Sequence, residues 1–142
     1  MKKLILFIVL FSSFKLFAQD VFMPVNFDDC GNAEFFIEAE KKPEWMNTAM
    51  SLSDYLNHAL ENNKDIKNVK NGKLFLGIFI GKDGIVKAKS FTNLTKVKLD
   101  PQVFRKIMND MPKWKPAEQK DQKVNFVLSL PFSIKNGIVS QG

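Results

Sequence analysis

This chain contains a single histidine, His58, and a single cysteine, Cys30. Nucleophilic catalysis needs a nucleophile, a base within hydrogen-bond reach and a group that orients the base. No such set can be read here, and no Gly-x-Ser-x-Gly or His-Glu-x-x-His pattern occurs. His58 has no His or Cys partner at metal-ligand spacing and reads as a solvated helix residue. Asp28, Asp29 and Cys30 are three adjacent residues of metal-ligating type, but Asp28-Asp-Cys-Gly reads more simply as a turn. Glu38 and Glu40 read as a solvated helix face rather than an acid–base pair. Cys30 has no internal disulfide partner and reads as a buried or idle thiol, with intermolecular pairing the minor alternative. The sequence therefore points away from an enzyme and implies no cofactor and no metal.

It points instead to binding. Met111-Pro-Lys-Trp-Lys-Pro-Ala-Glu-Gln is followed by Lys123-Val-Asn-Phe-Val-Leu-Ser-Leu-Pro-Phe. Proline cannot continue a helix and biases its predecessor toward extended backbone, so Pro112 and Pro116 bracket a stiff connector. Trp114 is the one large anchor within it. Flanked by Lys113 and Lys115, it offers a peptide contact or a cation–π pair worth about 0.5–1 kcal/mol at an exposed site. The plainer reading is that it packs the connector onto a sheet.

The elements that position this segment follow from periodicity. Leu74, Leu76, Ile78 and Ile80 share one face of a strand over 73–80, and Phe75, Gly77 and Phe79 share the other. Lys82-Asp83-Gly84 is a hairpin turn, and 85–92 is the return strand. Asp100-Pro101 is an N-cap carboxylate followed by proline at the first helical position. The helix after it carries Val103, Phe104, Ile107, Met108 and Met111 as a stripe, and Pro112 stops it. Trp45, Met46, Ala49, Met50, Leu52, Leu56, Ala59 and Leu60 have helical spacing and predict a helix over about 52–62, with Pro43 suited to a first turn. Residues 33–42 have helical character. The final strand covers 124–134: Val124, Phe126, Leu128, Leu130 and Phe132 point inward, and Asn125, Val127, Ser129 and Ser133 outward. Pro131 restricts that strand to a sheet edge. The order α-β-β-α-β predicts an α+β two-layer sandwich, with a small antiparallel three-stranded sheet and two helices on one face.

The N-terminus reads as an export signal. Lys2 and Lys3 precede an apolar run from Leu4 to Phe14, and Leu16-Phe17-Ala18 precedes Gln19. Cleavage after Ala18 leaves an N-terminal extension over 19–49, the domain over 50–135 and a C-terminal tail over 136–142. An uncleaved inner-membrane anchor is the weaker reading, because the run is well short of the roughly 20 apolar residues that span a bilayer. The formal net charge is +6, and Lys2, Lys3 and Lys15 supply three of those charges. Arg105 is the only arginine and no dense basic patch exists, which argues against nucleic-acid binding.

Several segments together resemble the TonB C-terminal domain, most closely the versions found in Bacteroidota-type bacteria. They are Gly72-Lys-Leu-Phe-Leu-Gly-Ile-Phe-Ile, the Lys82-Asp-Gly hairpin, Leu99-Asp-Pro, the Met111 to Gln119 connector, and the run to Leu130-Pro-Phe. The resemblance covers about residues 50–135. It implies a periplasmic module that takes the N-terminal box of TonB-dependent outer-membrane receptors as a strand beside its last strand, in energy-coupled transmembrane transport. In such β-augmentation, main-chain hydrogen bonds supply affinity and side-chain pockets supply choice.

The expected peptide-binding residues are Val124, Asn125, Phe126, Val127, Leu128, Ser129 and Leu130, with Trp114 and Gln119 at the entrance. Glu61-Asn-Asn-Lys-Asp-Ile replaces the Tyr-Pro that commonly opens the family's helix before the first strand, and Ala117 replaces a usual Gly. A long Pro-rich spacer is missing. These departures favour a free periplasmic binding module whose partner is a receptor or another envelope protein. The alternative is a structural or accessory envelope protein that self-associates, for instance as a homodimer, through its edge strand and its Phe75/Phe79 face, which residues 21–37 would otherwise cover.

Overall fold

The computed structural model describes residues 23–142; the export signal expected over 1–18 lies outside them. In chain order the elements are β1 (Val25–Asn26), α1 (Leu52–Ala59), α2 (Lys64–Lys67), β2 (Asn71–Ile80), β3 (Val86–Asn93), α3 (Pro101–Asn109), β4 (Ala117–Gln119), β5 (Gln122–Val124), β6 (Phe126–Lys135) and β7 (Ile138–Gln141). The architecture is α+β. An antiparallel five-stranded sheet has the order β1-β3-β2-β6-β7, and β4 and β5 form a separate two-stranded ribbon.

The longest ladder joins β2 to β6 without a slip, from Asn71 opposite Lys135 to Ile80 opposite Phe126. Its period-2 pattern sends Leu74, Leu76, Ile78 and Ile80 into the core, each at most 1% exposed. The helices cover that face because each has a cap that starts it and an apolar stripe that needs burial. Ser51 accepts from the Asp54 amide at 3.1 Å, and Leu52 and Leu56 of α1 are buried. Asp100 accepts from the Gln102 amide at 2.9 Å, Pro101 opens α3, and Phe104, Ile107 and Met108 are buried. Phe104 stacks on Phe91 of β3 with ring centroids 4.3 Å apart. Tyr55 of α1 ties the two helices by donating to the Ile107 carbonyl at 2.8 Å.

The structure departs from the sequence-based expectations at five places. The sheet has five strands rather than three. The first extra strand is β7, in the stretch expected to be a tail: Asn136 and Gly137 both have positive φ, at 51° and 76°. That is the backbone a tight primed hairpin turn requires, and Asn-Gly supplies it at low cost. The second extra strand, β1, comes from the N-terminal extension.

The third departure is in the helices. The first helix stops at Ala59, and Asn63 caps a further short helix, α2, by accepting from the Ile66 amide at 3.0 Å. Residues 43–50 hold no helix; Glu44 instead pairs with Lys115 as an isolated antiparallel bridge. Fourth, residues 33–42 are not helical. Phe36 bridges Phe126 in parallel and Lys41 bridges Glu118, so long-range backbone pairing overrides a weak local helical preference. Fifth, Val124 does not lie on the long last strand. It belongs to β5, opposite Ala117 of β4, and Asn125 separates the two strands.

The Lys82-Asp-Gly hairpin forms as expected and does more than reverse the chain. Gly84 has φ of +83°, and a Cβ there would meet the Trp114 carbonyl oxygen. The Trp114 amide donates to the Gly84 carbonyl at 3.0 Å. The turn thus seats the connector that leads from α3 to β6.

Truncating the stacked ring tests the helix–sheet layer. Phe104→Ala is expected to lower the free energy of unfolding by about 3–5 kcal/mol, the usual loss for a buried Phe. Urea unfolding with an unchanged slope is the check.

Candidate functional site

The candidate site is the side of β6 that faces away from β2. Backbone groups of alternate residues point to that side. The Asn125 carbonyl accepts from the Phe36 amide at 2.9 Å, and the Val127 amide donates to the Phe36 carbonyl at 3.0 Å. At the far end β7 pairs with Phe132 to Lys135, and the Gly142 amide donates to the Pro131 carbonyl at 3.3 Å. Pro131 has no N–H, and its nitrogen lies on this outer side, so it breaks no bond to β2. Among the described residues, the Val127 carbonyl and both the N–H and C=O of Ser129 remain without a partner. Ser129 is exposed.

The other borders of the sheet are covered in part. On β3, Val25 and Asn26 pair with Phe91 and Ser90. On β7, the Asn57 side chain takes both groups of Val139: its Nδ2 donates to the carbonyl at 2.8 Å and its Oδ1 accepts from the amide at 2.8 Å. Ser53 Oγ accepts from the Gln141 amide at 2.9 Å. One helix of eight residues thus seals the terminal strand with two side chains.

The N-terminal extension runs from one side of the sheet to the other. It leaves β3 after the Phe27 amide donates to the Lys89 carbonyl at 2.9 Å, and reaches β6 at Phe36. Asp29 fixes its first part to α3. Arg105 Nε donates to Asp29 Oδ2 at 2.8 Å, Arg105 Nη2 to Oδ1, and Asn109 Nδ2 to Oδ2 at 3.1 Å. Phe27 packs under the Arg105 guanidinium at 5.5 Å. These bonds, those from Arg105 first, hold the Asp29 carboxyl below the ordinary aspartate value against the opposing effect of its burial. The later part is fixed to the ribbon: Gln119 Oε1 accepts from the Glu40 amide at 3.0 Å, and Lys41 and Glu44 pair with Glu118 and Lys115. Between these anchors, Phe35, Phe36 and Ile37 are 39%, 46% and 70% exposed.

The residues expected to bind peptide separate into groups. Val127 and Ser129 turn backbone groups toward the outer edge. Phe126, Leu128 and Leu130 have the opposite phase and pair with Ile80, Ile78 and Leu76; Phe126 and Leu130 are buried. Asn125 is a junction, its side chain donating to the Glu34 carbonyl at 3.0 Å and accepting from the Lys82 amide at 2.9 Å. Val124 is committed to the ribbon. Gln119 also lies there, already bonded to Glu40.

Trp114 is 4% exposed and sits in the core, edge-on to Trp45 at 5.6 Å. It packs the connector down and lines no entrance. Its Nε1 is buried without a hydrogen-bond partner among the described residues. Phe79 is 6% exposed and Phe75 half-buried, so the aromatic face is largely covered. His58 is exposed beside Glu61, and Cys30 is a buried free thiol.

The sequence reading missed Glu34 and Phe36, which hold the edge, and Asn57, which closes β7. Phe36 carried a signal of a kind: an aromatic pair followed by isoleucine in a charged stretch needs somewhere to rest. Asn57 carried none, since a polar residue on a helix face is ordinary.

A scan against protein-family models and searches of curated proteins and of solved structures find no match. No helix among the described residues is long and apolar enough to cross a membrane.

The Asp29 attachment has a defined pH dependence. Its folded-state carboxyl titrates below the unfolded one, so its contribution is complete above the ordinary value of about 3.9 and disappears as pH falls through the depressed folded value. Asp29→Asn is expected to lower the melting temperature at neutral pH, with a gap to the unaltered protein that closes only as pH falls below the ordinary aspartate value of about 3.9. Thermal melts across that range are the check; a gap already closed at pH 5 would contradict the assignment.

Proposed function

We propose that this protein is a non-enzymatic, TonB-like peptide-binding module of the bacterial periplasm. It accepts an extended segment of an outer-membrane receptor, or of another envelope protein, along the outer edge of β6. One observation carries this reading: on the outer side of β6, among the described residues, the Val127 carbonyl and the Ser129 amide and carbonyl are left unpaired. Groups of that kind are what an added strand bonds to. The connector and last-strand motifs that resemble the TonB C-terminal domain lie on and next to this edge. The α+β architecture, with helices on the opposite face of the ladder from Ser129, is compatible with the same family. The export signal read over 1–18 supports the location.

The chemistry asked of the site is modest. A peptide that contributes a few main-chain bonds gains about 0.5–1.5 kcal/mol from each. Useful affinity therefore also needs side-chain contacts, and the half-buried Val127 beside the exposed Phe35 and Phe36 offers apolar ones.

The test is a pull-down from the native envelope with the protein as bait, followed by mass spectrometry. Recovery of TonB-dependent receptors, competed by their N-terminal box peptides, supports the reading; recovery of the bait alone supports self-association. Ser129→Pro removes the free donor but leaves the β2 ladder intact. It is expected to weaken capture at least about tenfold, one to two main-chain bonds' worth, with little change in melting temperature. Undiminished capture would move the site off β6.

A further inference from the structure

We infer that residues 34–37 are a built-in occupant of the β6 edge, a clasp that an incoming peptide must displace. The inference rests on the peptide-binding reading and adds its regulation. Phe36 already makes the two main-chain bonds that an added strand would make first, to the Asn125 carbonyl and the Val127 amide. With Phe36 in place, the open part of the edge shrinks to the groups of one residue and a neighbouring carbonyl. That is too short for a strand of ordinary length, which runs several residues. Either the clasp or β7 has to give way.

The two are held very differently. β7 pairs over four positions, buries Val139 to 2% exposure and has Asn57 and Ser53 bonded along its far side. The clasp has a single bridge, one side-chain bond, from Asn125 to the Glu34 carbonyl, and the Lys89 ammonium over the Phe35 ring at 5.3 Å. Phe35, Phe36 and Ile37 are 39%, 46% and 70% exposed, so the clasp is far less deeply buried than Val139 of β7. The clasp is also fastened on both sides, by Asp29 to α3 and by Lys41 and Glu44 to the ribbon connector. It can lift as a loop and return without the extension leaving the domain. The clasp is therefore the side that yields. Its position, level with the start of β6, makes the 125–129 end of the edge the point of entry.

Occupation by the clasp lowers apparent affinity by the fraction of molecules in which it is closed. Phe36→Pro deletes the donor to Asn125, and losing a main-chain bond of this kind should open the edge about tenfold more often. The test is an NMR titration of the isotope-labelled protein with a synthetic peptide copying residues 33–42, followed at the Val127 and Ser129 amides. The expected result is half-saturation at about tenfold lower peptide in Phe36→Pro than in the unaltered protein, with the gain cancelled by adding Val127→Pro. Equal half-saturation, or no response of either amide in either protein, overturns the inference.

Asp29→Asn loosens one anchor from outside the edge and guards against a folding defect in the proline variant. It should shift half-saturation in the same direction by a smaller factor, and no shift counts against the clasp. Receptor box peptides are titrated in parallel. If they fail on Phe36→Pro while the 33–42 peptide succeeds, the clasp stands and the receptor reading falls.

Discussion

The ladder between β2 and β6 is the constraint on which the rest of this molecule depends. It joins segments far apart in the chain over ten consecutive residue pairs. Everything between them must fit within the loop they close. The β2–β3 hairpin folds outward, α3 packs back over the core face, and the ribbon of β4 and β5 takes up the remaining chain before β6 begins. The register of the ladder is protected from slipping by its alternation, because a shift by one residue would send four core side chains of β2 to the other face. The connector enters that register from a fixed point, where Trp114 is buried and its amide is bonded to the hairpin at Gly84. An indole between two lysines is thus a structural pin, and the lysines are the solvated shoulders that let it sit near the surface of the fold.

What the sequence revealed was governed by periodicity and caps. The inward faces of β2 and of β6 from Phe126 onward, the Asp100-Pro101 start of α3 and the Lys82-Asp-Gly turn are all local signals with strong physical causes. They sufficed for the fold class and for locating the strand of interest. What stayed hidden was long-range pairing with no local period. Phe36 contributes a single bridge, and one residue cannot show alternation. The 33–42 stretch has local helical character, yet its amides bond to Asn125 and Glu118, residues no local pattern connects to it. β7 is a different kind of miss. Asn136-Gly137 is a strong hairpin signal, overlooked because the four residues after it make too short a run to stand out.

The candidate site was partly visible for the same reasons. Strand alternation identified Val127 and Ser129 as residues turned away from the core, but it was read for side chains. The main chain told more. Alternation also sorts amides and carbonyls into those bonded to β2 and those facing outward, and only the second set bears on strand addition. Phe126, Leu128 and Leu130 support the site by holding the register without presenting anything to a partner. The proline two residues beyond Ser129 sets the far limit, where the outward N–H is missing and β7 takes over. An exposed edge of this kind is ordinarily an aggregation liability, and here it is reduced to a few groups by elements that differ in how firmly they are held.

Asn57 gives that liability a wider meaning. Its amide mimics a peptide unit, offering Val139 the donor and the acceptor that a sixth strand would have offered. A sheet that ends in a side chain has no next rung. A second molecule approaching β7 finds both backbone groups of Val139 and the Gln141 amide already taken, which disfavours edge-to-edge stacking of sheets at that border. The cost of this termination is two polar side chains on one helix, Asn57 and Ser53, and it turns strand exchange with other chains away from β7.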